Sequence, residues 1–219
     1  MLIEGIDLSL IYDLGKEHET YAVRNLNIKL NAGETIGVIG PSGSGKSSLL
    51  YLLSGLKSPT MGTVYYQDID IESLSELKRS ELRRQNFGFI FQRHFLIDYM
   101  TVFDNVLLAS NKKDPEAAKS DTADLLRQLG MEKLSGKKPS GLSGGQRQKV
   151  AIARALMNQP SVIFADEPTA SLDHEAALDV MDLLTEHRGS STLLVVTHDR
   201  SILEKADRVL EMWDGYLKT

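Results

Sequence analysis

Thr35-Ile36-Gly37-Val38-Ile39-Gly40-Pro41-Ser42-Gly43-Ser44-Gly45-Lys46-Ser47-Ser48-Leu49-Leu50 decides how this chain folds. The first five residues are the short apolar run of a buried strand, and a glycine-rich turn follows. Leu49, Leu50, Leu52 and Leu53 then recur at helical spacing, with Gly55 near the end of a helix expected over 46–56. Gly40 to Ser47 match G-x-x-x-x-G-K-[ST] at every fixed position, in the strand–turn–helix context the motif requires. Small residues there let backbone N–H groups converge on phosphate, and the helix N-terminus adds partial positive charge. Lys46 is expected to reach the β- and γ-phosphates of a nucleotide, and the Ser47 hydroxyl to coordinate Mg²⁺. A glycine-rich turn that binds nothing would not call for Lys46-Ser47 after it.

Outward from this loop, residues 2–10 alternate as a strand and Leu26 to Leu30 reads as another. Gly62-Thr63-Val64-Tyr65-Tyr66 reads as a strand, Ser75 to Arg84 as a charged helix and Phe87 to Phe91 as a strand. From Thr101 to Gly130 the pattern changes to polar helices, broken at Lys112-Lys113-Asp114-Pro115, and predicts a helical insertion. Strands at Val162–Ala165, Leu193–Thr197 and Val209–Met212 then alternate with helices near 145–158 and 175–187. Such alternation implies an α/β fold with a mainly parallel sheet covered on both faces.

The 219 residues are 42% hydrophobic and 25% charged, which suits one large domain or a core with a small insertion. The absence of cysteine excludes disulfide and thiolate chemistry. A net charge of -5 argues against a nucleic-acid partner, and Lys78-Arg79 and Arg83-Arg84 are read as solvated helix faces. No stretch is apolar for the roughly 18 residues that span a bilayer, and Met1-Leu2-Ile3-Glu4-Gly5 lacks the order of a secretory signal. If this chain works at a membrane, another polypeptide is expected to cross it.

Leu142-Ser143-Gly144-Gly145-Gln146 continues into Arg147-Gln148-Lys149-Val150-Ala151-Ile152-Ala153-Arg154-Ala155-Leu156. By its residues it is a second anion-attracting helix N-terminus with an apolar stripe behind it. Capping of an amphipathic helix accounts for Ser143 and the stripe, but on this reading not for Gly144-Gly145-Gln146 beside a phosphate loop. The segment resembles the signature of the ABC (ATP-binding cassette) ATPases, and the resemblance runs from residue 2 to about 217. It implies a P-loop NTPase core, an N-terminal antiparallel β part and a helical subdomain, about 93–158, within a single nucleotide-binding domain of residues 1–219. Val162-Ile163-Phe164-Ala165-Asp166-Glu167 resembles a Walker B strand, which implies Asp166 on Mg²⁺ and Glu167 as the base that polarises water. Ser171-Leu172-Asp173 resembles the D-loop, His198 the switch histidine on the γ-phosphate, and Gln92 the Q-loop glutamine that touches Mg²⁺ and senses a membrane partner. The ATP contacts so implied are Gly40, Pro41, Ser42, Gly43, Ser44, Gly45, Lys46, Ser47, Ser48, Gln92 and His198. Tyr12 is the aromatic chosen to stack on adenine, with Tyr21 as its competitor.

The resemblance also implies an ATP-bound homodimer, with Ser143, Gly144, Gly145, Gln146 and Asp173 acting on the partner's nucleotide. A membrane permease would receive the motion, with the cassette on the cytoplasmic face of the membrane. The opening Tyr12-Asp13-Leu14-Gly15-Lys16-Glu17, together with Phe89-Ile90-Phe91-Gln92 and Val102-Phe103-Asp104-Asn105-Val106, is similar to the lipoprotein-release, macrolide-exporter and cell-division cassettes. The linker Ala109 to Lys119 is shorter than is usual in that group, and the chain ends too soon after its last strand for a C-terminal regulatory domain. An importer motor and a non-transport ABC ATPase are the alternatives. No heptad run supports a chromosome-type ATPase, and a single phosphate loop does not fit a two-cassette translation factor.

Overall fold

In chain order the elements are β1 (Ile3–Tyr12), β2 (Thr20–Leu30), β3 (Thr35–Ile39), α1 (Lys46–Leu53), β4 (Met61–Tyr66), β5 (Ile69–Asp70), α2 (Glu76–Asn86), β6 (Phe87–Ile90), α3 (Val102–Leu107), α4 (Pro115–Gln128), α5 (Gly144–Leu156), β7 (Val162–Asp166), α6 (His174–His187), β8 (Thr192–Thr197), β9 (Arg208–Trp213) and β10 (Tyr216–Lys218). The computed structural model describes residues 1–15 and 18–218. Lys16 and Glu17, in the opening that resembles the exporter group, lie outside the described residues. Two compact units form, one from Met1–Arg83 with the chain from Thr192 onward, the other from Arg84–Ser191.

In the first unit an antiparallel sheet has the order β2-β1-β4-β5. Its alternation buries Ile3, Leu8, Leu10, Val23, Leu26, Ile28 and Leu30. β2 begins at Thr20, well before the expected Leu26, so Tyr21 belongs to the strand and pairs with Ile11. The other strands of the unit run β10-β9-β3-β8. β3 pairs in parallel with β8 and with β9, and β9 returns antiparallel into β10, a strand the sequence reading missed. Every residue of β8 is buried, as a central parallel strand demands.

α1 stops at Leu53, short of the expected residue 56. Gly55 adopts φ 62, and the Gly55 and Leu56 N–H groups donate to Leu52 O and Tyr51 O. This glycine-terminated bonding pattern closes the helix by satisfying its last carbonyls. Arg79 and Arg83 of α2 correct the expectation of a solvated basic face. Arg83 Nη1 donates to Gly55 O at 2.7 Å and Nη2 pairs with Glu76 at 3.0 Å. Arg79 pairs with Glu72 at 3.1 Å and donates to Ser58 Oγ at 3.0 Å. Their side chains are only 13% and 17% exposed, so the guanidinium groups pin α2 to the end of α1.

In the second unit β6 and β7 pair in parallel, with Phe87, Phe89 and Phe164 packed ring against ring. Each helix begins on a side-chain cap: Thr101 for α3, Asp114 for α4, Ser143 for α5 and Asp173 for α6. Pro115, read as a break, is the first residue of α4, where its missing N–H costs nothing. Val102, Val106, Leu126, Leu129, Leu142, Val150 and Ala153 share one core among α3, α4 and α5.

Removing the Arg83 guanidinium takes from Gly55 O the donor that meets it at 2.7 Å. Arg83→Ala is expected to lower the unfolding free energy in a urea titration by about 1–3 kcal/mol. Arg127→Ala, which removes only exposed pairs to Asp124 and Glu132, should cost less than about 1 kcal/mol. Equal small losses would return Arg83 to the solvated face first expected of it.

Candidate nucleotide site

The phosphate loop is shaped by close backbone approach. Gly45 caps α1 in the left-handed region at φ 101, and a Cβ there would stand 1.9 Å from Ala22 O. A Cβ on Gly40 would stand 2.1 Å from Met212 O. These positions are glycine because β2 and β9 press on the loop from either side. The β9–β10 turn adds a third support: Gly215 N–H donates to Ser44 O at 3.0 Å, and Gly215 O accepts from Arg24 N–H at 2.9 Å. The sequence reading missed this support, although Asp214-Gly215 is a hairpin dipeptide and both residues take positive φ.

Lys46 is 6% exposed, and its Nζ donates to Gly40 O at 2.8 Å and Pro41 O at 3.1 Å. The ammonium is thereby held over the loop. Ser44 Oγ is buried without a hydrogen-bond partner among the described residues. Beside the loop lies a cavity of about 450 Å³ lined by Gly43 to Ser48 with Tyr12, Tyr21, Arg24 and Asp214 among its other walls. Both aromatic candidates therefore reach one cavity. The Tyr12 hydroxyl lies 3.2 Å from Ser48 Oγ, and the Tyr21 ring is faced by the Arg24 guanidinium at 4.5 Å. Ile39 is in register with Thr197, so Gly40 and the exposed His198 leave adjacent parallel strands at the same end. Ligands of open α/β sheets gather at such carboxyl ends.

In the second unit Ile90 is in register with Ala165, which brings Gln92 and the Asp166-Glu167 pair to one end of the β6–β7 pair. Asp166 is buried at the strand terminus, while Glu167 takes φ 48. For a non-glycine residue that backbone is strained, and such strain collects at functional sites. Gln92 is exposed, and the loop beyond it is anchored from two helices. Arg154 donates to Phe95 O at 2.6 Å and His94 O at 2.9 Å, and the buried Asn105 amide accepts from Ile97 N at 2.7 Å. Burial, reinforced by Arg147 and Arg154, holds the His94 pKa below the usual histidine range.

The signature segment corrects one reading of the sequence. Ser143 Oγ accepts from Gln146 N–H at 3.2 Å, and Gln146 Oε1 accepts from Ser143 N–H at 3.0 Å. This is a capping box, so capping alone accounts for Gln146 as well as Ser143. It does not account for the glycines. A Cβ on Gly144 would meet nothing closer than Leu172 Cδ2 at 3.6 Å, on Gly145 nothing closer than 4.0 Å, and neither has positive φ. Nothing within the described chain requires glycine at either position. Asp173 is exposed and caps α6 by accepting from Ala176 N–H at 2.9 Å.

Among the described residues no helix is long and apolar enough to cross a membrane. The sequence profile of the ABC transporter family matches residues 23–170, more than half of the chain. The lipoprotein-releasing system ATP-binding protein LolD of Psychrobacter arcticus is 40% identical over 220 residues, covering 98% of this chain and 97% of the relative. The LolD protein of Pseudomonas syringae pv. tomato is 42% identical over 215 residues, covering 94% of each. Among solved structures, the dimeric ATP-binding cassette MJ0796 in a post-hydrolysis state with ADP and Pi superposes with a TM-score of 0.90. That cassette is 34% identical, and the match covers 100% of this chain and 97% of it. With the phosphate loop in place at the end of β3 and this likeness along its whole length, the chain belongs to the ABC transporter family as an ATP-binding, ATP-hydrolysing cassette.

Proposed function

We propose that the chain is the motor of a lipoprotein-release type transporter, driving a separate membrane permease from the cytoplasmic face through an ATP-dependent homodimer. The observation that carries this reading is the glycine-shaped phosphate loop beside an aromatic cavity, in a chain 40% identical to LolD over nearly its full length. The loop from Gly40 to Gly45, through its backbone N–H groups (Pro41 has none and only shapes the turn), receives the phosphates together with Ser47 and Ser48. Lys46 exchanges its two loop carbonyls for the β- and γ-phosphate oxygens. Adenine stacks on Tyr12.

The hydroxyl, amide and carboxylate oxygens of Ser47, Gln92 and Asp166 are hard donors of the kind that suit Mg²⁺. These three residues would hold it, and when bound it neutralises charge on the phosphates. Glu167, on its strained backbone, takes a proton from water, whose oxygen forms the new bond to Pγ while the bond to the bridging oxygen of ADP breaks. Lys46 and His198 stabilise the equatorial oxygens as this happens.

Glycines that the fold does not require support a role for Gly144 and Gly145 outside the chain, where a partner's γ-phosphate approaches closely. On this reading Ser143, Gly144, Gly145, Gln146 and Asp173 act in trans, as a two-fold dimer allows. ATP then joins the two subunits, hydrolysis parts them, and the permease takes up the motion. The helical subdomain, about 93–158, carries the docking surface. Its exposed apolar side chains Phe95, Tyr99 and Leu108 support that assignment.

Size-exclusion mass with and without Mg-ATP tests the dimer. Glu167→Gln is expected to bind ATP, hydrolyse it at least a hundredfold more slowly and shift from monomer to dimer, while Lys46→Ala stays monomeric. Hydrolysis by Glu167→Gln at the wild-type rate would remove the proposed base. A second test separates packing from catalysis at the signature. Gly145→Ala should leave thermal stability unchanged or raise it, by up to about 1 kcal/mol, while ATPase activity falls at least tenfold. Retained activity would argue against the trans contact.

A further inference from the structure

Lys57 follows the turn that ends α1, where its N–H donates to Tyr51 O at 3.0 Å and that of Leu56 donates to the same oxygen at 2.9 Å. The backbone of Lys57 is thus fixed by the phosphate-loop helix. Its Nζ stands 4.3 Å from the centroid of the Tyr12 ring. From the other end of the same helix, Ser48 Oγ meets the Tyr12 hydroxyl at 3.2 Å. Tyr12 lines the cavity beside the phosphate loop and Lys57 does not. The ammonium therefore meets the ring outside the cavity and leaves the cavity side open to a ligand. Tyr21 differs in this respect, because the Arg24 guanidinium that faces its ring at 4.5 Å itself lines the cavity.

From this placement we infer that Lys57 is a positioning residue for nucleobase binding, holding the Tyr12 ring as a preset stacking platform through a cation–π contact on its outer side. The inference rests on the reading that Tyr12 takes the base. A ring already fixed by an ammonium at its face and a hydroxyl at its tip loses less freedom when a base stacks on it. Ser48 lies in α1, which also begins with Lys46 and Ser47, and the Lys57 backbone is tied to the end of that helix through Tyr51 O, so base platform and phosphate loop are held by one rigid element.

Calorimetric binding of Mg-ATP and of ribose 5-triphosphate, which lacks the base, to the full chain tests this. Lys57→Met is expected to weaken ATP about two- to fivefold and to leave ribose 5-triphosphate unchanged, while Lys57→Arg binds both as the wild type does. Tyr12→Ala should weaken ATP further, again without touching ribose 5-triphosphate. Loss of ATP affinity in Tyr12→Ala but not in Lys57→Met would overturn the role of Lys57 and leave the Tyr12 reading intact. Equal weakening of both ligands by Lys57→Met would make Lys57 a general positive charge and overturn the inference too. Unchanged ATP binding in Tyr12→Ala would overturn the Tyr12 reading and the inference together.

Discussion

The first unit turns on the absence of a side chain at Gly45. At φ 101, where a Cβ would stand only 1.9 Å from Ala22 O, this residue lets the chain reverse from β3 into α1. Without that reversal Lys46 would not lie over Gly40 and Pro41. The supports of the loop come from distant parts of the chain: Ala22 from β2, Met212 from β9 and Gly215 from the turn after it. The two N-terminal strands and the last hairpin are in this sense accessories of the six-residue turn from Gly40 to Gly45 and the helix behind it.

The second unit is organised by helix ends. Ser143, Thr101, Asp114 and Asp173 each satisfy orphan N–H groups at the start of a helix. Two of these starts also carry the segments proposed to face a partner's nucleotide. One residue can therefore serve the fold and the chemistry, which is why Ser143 and Gln146 are poor discriminators and the glycines between them are good ones. A glycine that neither turns the chain nor meets a close neighbour lowers helix stability for a reason outside the helix.

Cations in this molecule work chiefly on neighbouring elements. Arg83 reaches the carbonyl that ends α1, Arg154 reaches two carbonyls of the loop past Gln92, and Lys57 reaches the Tyr12 ring. Each joins segments separated in sequence, and Arg83 and Lys57 lie outside the recognised motifs. Charge counting gave no sign of these roles, because a long basic side chain is read by default as solvated.

The sequence by itself determined the strand–loop–helix around Lys46, the Ser143 cap and the buried strands, because each depends on local periodicity or on a residue type with few uses; the caps at Thr101, Asp114 and Asp173 became legible only in the structure. The resemblance to the ABC ATPases, carried by the order of the motifs, marked Asp166, Glu167, His198 and Gln92 as candidates. Tertiary structure alone decided that Tyr12 and Tyr21 share a cavity and that a β9–β10 turn supports the phosphate loop. The physical reason is range. A cap or an amphipathic stripe is set within a few residues, whereas the contacts of Gly40 with Met212 and of Arg24 with Gly215 span most of the chain and exist only once the sheets have formed.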